Sequence, residues 1–127
     1  MSYDWTLFHK FAYDIYKNQT FGDKETVYRV VISRAYYAAF HAAKEFVEQN
    51  NLKASVKRNS HEDVVDSLIS ANKSDLSFTN KCHTMGNRLD RIRRDRILAD
   101  YNEKIQISDK EAREALSIAR KIIAETV

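Results

Sequence analysis

Between Val27 and Ala43 the chain is apolar almost all the way round a helical wheel, interrupted mainly by Arg29, Ser33, Arg34 and His41. A helix that is hydrophobic on every side lies at the centre of its domain, so the helix predicted over about Lys24 to Asn50 is the central one. Its neighbours are amphipathic. Trp5, Phe8, Ala12 and Ile15 recur at spacings of three and four in a helix predicted over about Tyr3 to Lys17, which a glycine turn around Gly22 ends. Ser60 to Asp63 has the form of a cap with an acid at the third helical position, opening a helix that turns Val64, Val65, Leu68 and Ile69 inward. A fourth helix is predicted over about Asp75 to Ala99. Ser108 and Glu111 have capping-box spacing, and the helix they open carries Ala112, Ala115, Leu116, Ala119, Ile122 and Ile123 on its inner face.

The fourth helix breaks its own pattern twice. At about 100° per residue, Phe78, Cys82, Met85, Leu89, Ile92, Arg96 and Ala99 share one seam, and Arg96 is its only charge. Desolvating a guanidinium costs several kcal/mol (of order 1–5) unless an anion or carbonyl answers it, so Arg96 needs a partner. Asp95, Asp100 and Tyr101 lie close by, and Asp95 and Asp100 are its candidate structural partners. The second break is Gly86, which costs about 1 kcal/mol against alanine in mid-helix and predicts close packing or a local break.

Composition adds the fold class. The 127 residues include two glycines and no proline, with helix formers throughout. With short connections, the expectation is all-α: a single domain over 1–127, an up-and-down antiparallel bundle of about five helices. The lone Cys82 excludes an internal disulfide and reads as a buried thiol in a reducing compartment. No apolar run is long enough to span a membrane, and the first residues do not read as a signal peptide, so the expected location is the cytoplasm.

Charge and candidate chemistry concentrate in the fourth helix. From Lys81 to Lys104 seven basic residues face four acids, 7 − 4 = +3, which equals the net charge of the whole chain. The set is mostly arginine, which suits bidentate contact with phosphate. Arg91, Arg93 and Arg94 are therefore candidate phosphate contacts, although interleaved Asp–Arg pairs on a solvated face give the same pattern. In the central helix Arg34, Tyr37 and His41 fall on one side, either as packing residues or as a face that meets another subunit or the fourth helix around a polar pocket, with Arg34 and Tyr37 as further candidate phosphate contacts. The histidines and the cysteine have no metal-ligand spacing, and no phosphate loop or hydrolase motif occurs, so neither a metal nor a cofactor is expected.

The run Ser33-Arg34-Ala35-Tyr36-Tyr37-Ala38-Ala39-Phe40-His41-Ala42-Ala43-Lys44, a helix-opening His61, then Arg96-Ile97-Leu98-Ala99-Asp100-Tyr101 and a final amphipathic helix resemble the HEPN domain superfamily. The similarity runs from about Thr26 to Val127 and is greatest to small stand-alone prokaryotic members with S-R-A-Y-Y-A-x-F-H-A and R-x-x-A-D-Y elements. It implies a helical bundle that dimerises and presents an arginine motif to a cleft. It also implies a role with RNA or nucleotides, toxin-like or in phage defence. Active members cleave RNA without a metal through an R-x4-6-H motif, but here no histidine follows any arginine of the fourth helix, because His83 is the last one. Arg34 and His41 match R-x6-H only by counting, in the middle of the wrong helix.

Two functions from different classes follow. In the first, a ribonuclease holds phosphate at Arg96 and its neighbouring arginines, assisted by Tyr101 or His41. Phenols are poor bases near neutral pH unless a cation stabilises the phenolate, a role open to Arg96. In the second, a non-catalytic homodimeric module acts with a nucleotidyltransferase, an antitoxin or another defence partner, and Arg96 is an internal anchor.

Overall fold

The computed structural model describes residues 3–18, 22–52 and 60–127. They form an all-α bundle of α1 (Trp5–Lys17), α2 (Lys24–Gln49), α3 (Ser60–Ile69), α4 (Leu76–Tyr101) and α5 (Asp109–Glu125), with the up-and-down antiparallel arrangement expected from the short connections. The basic stretch 53–59 and most of the turn after α1 lie outside the described residues.

Local chemistry sets the helix starts. Asp4, Asp23 and Asp75 are N-caps whose carboxylates accept from the backbone N–H groups of Thr6, Thr26 and Phe78 at 3.0, 3.1 and 3.2 Å. At α5 the capping box forms as its spacing predicts, with the Ser108 backbone N–H donating to Glu111 at 3.0 Å.

The all-round apolar helix is central, since α2 packs against all four others. Ala35, Ala38, Ala39, Ala42 and Ala43 are all buried, and their small side chains let neighbouring helices come close. The α4 seam is equally closed: Cys82, Met85, Leu89 and Ile92 are fully buried, and burial pushes the Cys82 thiol up. Two histidines have structural roles. His9 Nε2 donates to the Leu116 carbonyl, tying α1 to α5, and His83 Nε2 donates to the Ala71 carbonyl, each at 2.9 Å. Among the described residues, no helix is long and apolar enough to cross a membrane.

Gly86 marks a close approach of α3 to α4. A Cβ there would stand 2.8 Å from Ile69 Cγ1, 3.0 Å from Leu68 Cβ and 3.2 Å from the Ile69 backbone nitrogen. Alanine gains about 1 kcal/mol in helix propensity, but pressing against a Cβ and a backbone atom costs about 1–3 kcal/mol. Gly86→Ala is therefore expected to melt below wild type, and a raised melting temperature would show that α3 moves aside freely.

The far end of α4 is fastened by one side chain. Helix C-termini leave carbonyls without intrahelical partners, and here Arg29 of α2 supplies the donors. Its Nη1 donates to the carbonyls of Ala99 at 2.8 Å and Asn102 at 3.1 Å, and its Nη2 to that of Ile105 at 2.7 Å. Glu25 grips the same guanidinium through Nε and Nη2 at 3.1 and 2.9 Å and also accepts from the Ile107 N–H at 3.3 Å. The cation meets the negative end of the α4 dipole, and the segment that carries Asp100 and Tyr101 is folded down onto α2.

Candidate functional site

Arg96 leaves the buried α4 seam one turn before that fastened end. Its side chain is 15% exposed and sits among three phenol rings, with the guanidinium carbon 5.1 Å from the ring centre of Tyr37, 5.6 Å from Tyr101 and 5.8 Å from Tyr36. Such placements over the faces of aromatic rings favour a cation. Nη2 donates to the Tyr37 hydroxyl at 2.7 Å. Nε lies 2.8 Å from a carboxylate oxygen of Asp100, one turn on, but its N–H does not point at that oxygen, so the contact is an ion pair and not a directed hydrogen bond. Nε of Arg93, one turn earlier on the same side, is likewise buried without an acceptor among the described residues. Both cations are already met by carboxylates, Arg96 by Asp100 at 2.8 Å and Arg93 by Asp90 at 3.8 Å.

A third element enters through His61 at the start of α3. Its Nδ1 lies 2.5 Å from the Tyr36 hydroxyl, and its ring stacks on Phe40 with centres 4.3 Å apart. Burial pushes the Tyr36 phenol well above its ordinary range. Burial holds the His61 imidazole below its ordinary range, and Arg96 and Arg93 push the same way. His41 is also held low, by burial first and then by Lys44. Both histidines bind protons more weakly folded than unfolded, so folding stability is full above about pH 6.5 and falls as pH drops below it. Denaturation midpoints measured at pH 7.5 and pH 5.5 are expected to show this loss, and His61→Gln should reduce it.

The remaining candidates fall in different places. Tyr37 and Asp100 meet Arg96 directly, and Tyr101 covers it with a ring that is itself 71% exposed. Arg93 shares the face but has an acid nearby, Asp90 at 3.8 Å. Arg94 is exposed and pairs with Asp90 at 2.6 Å, and Arg91 reaches across to Glu114 of α5 at 3.1 Å. Asp95 lies on that α5 side, its carboxyl raised by burial and by Glu114 and Glu111 against the pull of Arg91, so it does not join Asp100 at Arg96. His41 stacks on Trp5 of α1 with ring centres 4.0 Å apart, and exposed Arg34 lies over Phe8. Helix rotation accounts for the separation on α4, where Asp95 and Arg94 are one and two residues from Arg96, whereas on α2 His41 is four residues from Tyr37 and its ring lies 6.3 Å from that of Tyr37 between centres.

Two residues of the cluster, His61 and Tyr36, carried no assigned role in the sequence. The available signal was Tyr36, a tyrosine on a core seam whose hydroxyl must find a partner. On the outer side, Asp23, Glu25, Asp100 and Glu103 line a hollow beside Tyr101 and Arg29, and on the α3 side Glu62, Asp66 and Asp90 line another beside Arg93. Among the described residues, no three His, Cys, Asp or Glu side chains are grouped to hold a metal ion.

Comparison with known proteins agrees with this architecture. Searches of curated proteins and of solved structures returned no match. The family description "HEPN domain" matches residues 20–127, which takes in α2 to α5 and every residue of the Arg96 cluster. The chain belongs to the HEPN domain family.

Proposed function

We propose that this HEPN protein acts on RNA as a toxin-like or defence-related ribonuclease, holding a backbone phosphate at Arg96. The observation that carries the reading is Arg96 itself, a guanidinium at the end of the α4 seam held by the Tyr37 hydroxyl and set among three phenol rings. Tyr37 orients the guanidinium and the exposed ring of Tyr101 offers a surface on which a base can stack. A fixed cation beside phosphorus would stabilise the charge that develops as the ribose 2′-oxygen bonds to phosphorus and the P–O5′ bond breaks, the 2′-hydroxyl giving its proton to water and the departing 5′-oxygen taking one from water.

The ion pair between Arg96 and Asp100 favours a second reading, in which the arginine is an anchor inside a non-catalytic module that works with a nucleotidyltransferase or another defence partner. Incubating the purified protein with single-stranded RNA in the presence of a chelator separates the two. The ribonuclease reading expects salt-dependent binding, fragments and growth arrest on expression. Intact RNA, no binding and normal growth would leave the module.

A further inference from the structure

The fully buried Tyr36 and the half-buried His61 form a pair that packing alone does not require. A buried phenol keeps its proton, and that proton needs an acceptor. The one beside it is His61 Nδ1, at 2.5 Å. With Nδ1 accepting, the neutral imidazole carries its own hydrogen on Nε2, and Nε2 has no hydrogen-bond partner among the described residues. The ring is fixed by Phe40 on one side, and the edge of Tyr37 lies 6.2 Å away between centres. Arg96 stacks 5.1 Å from the centre of the same Tyr37 ring. Guanidinium and imidazole thus flank one phenol.

We propose that His61 is a second ligand-contacting residue of the Arg96 site, held through Nδ1 by Tyr36 as its positioning residue, so that Nε2–H donates to the bound oxyanion and the imidazole gains a proton as the anion enters. The inference rests on reading this cleft as a phosphate site. Arg96 and Arg93 on α4 and His41 and Lys44 on α2 act on His61, and all of them oppose an imidazolium. An oxyanion reverses the sign of that local field, so anion binding and proton binding favour each other by the same factor. When Nδ1 takes the proton, the Tyr36 hydroxyl rotates from donor to acceptor.

Sulfate is the suitable probe, since it does not titrate near neutral pH. Calorimetry of the intact protein with sulfate at pH 6.5, in two buffers of different ionisation enthalpy, is expected to show net proton uptake, and the His61 ring signals in NMR should move toward the imidazolium position as sulfate is added. His61→Gln should remove the uptake and weaken sulfate binding about tenfold, the loss of one hydrogen bond to a charged group. Tyr36→Phe should alter the His61 tautomer signature and reduce the proton uptake. Sulfate binding without proton uptake or movement of the His61 signals overturns the inference, and so does full-strength binding by folded His61→Gln. If sulfate does not bind at all, the phosphate-site reading falls with it. If sulfate binds with proton uptake but RNA is neither bound nor cut, the inference stands and the ribonuclease reading falls.

Discussion

Replacing Arg96 with alanine is expected to weaken binding of single-stranded RNA by about 10- to 100-fold, the scale of losing one hydrogen bond between charged groups, and to end cleavage and growth arrest. The cost to folding should be much smaller, about 1 kcal/mol, because the cation loses favourable ring faces while Asp100, a quarter exposed as a side chain, can be hydrated. Arg96→Lys keeps the charge but has no planar fork to meet Tyr37, Asp100 and a phosphate together, so it should recover only part of the binding. Filter binding at two salt concentrations, beside a thermal melt, measures both effects. A variant that binds RNA as wild type does and differs only in melting temperature would make Arg96 an anchor.

Arg29→Ala should have the largest effect on stability, about 2–4 kcal/mol. One guanidinium answers the carbonyls of Ala99, Asn102 and Ile105, and its removal takes their donor away and leaves Glu25 with only the Ile107 N–H in a half-buried place. Hydrogen bonds to charged groups contribute about 1.5–3 kcal/mol each, though not additively. Unfolding should stay cooperative, and amide exchange should accelerate first over residues 98–107, the segment this side chain fastens. Lysine at this position can reach one carbonyl at a time and should restore less than half the loss. A denaturation midpoint within error of wild type would show that water serves those carbonyls equally well.

The helices were legible because their determinants are local. A Ser108–Glu111 box and spacings of three and four residues place a start and the inner faces without reference to the rest of the chain. Arg96 was found for the same reason, as a charge on a periodic seam. The site was less legible because it is assembled from three helices. His61 lies 25 residues after Tyr36 in the chain, and nothing near either predicts that the hydroxyl and Nδ1 meet. Arg29 read as an interruption of an apolar helix, although its partners are carbonyls about 70 positions away, which no side-chain pattern can reveal. Arg91 and Arg94 looked like neighbours of Arg96 in the sequence, but helix rotation directs them to Glu114 and Asp90.

The stacking of Trp5 on His41 gives the molecule an optical signal of its own. Trp5 is the single tryptophan and belongs to α1, which precedes the family match at residues 20–127. Imidazolium quenches indole fluorescence more strongly than neutral imidazole does, so emission should dim as acid protonates His41 and change again if α1 lifts from α2. Fluorescence from one ring can therefore follow the docking of α1 on α2, with no label attached.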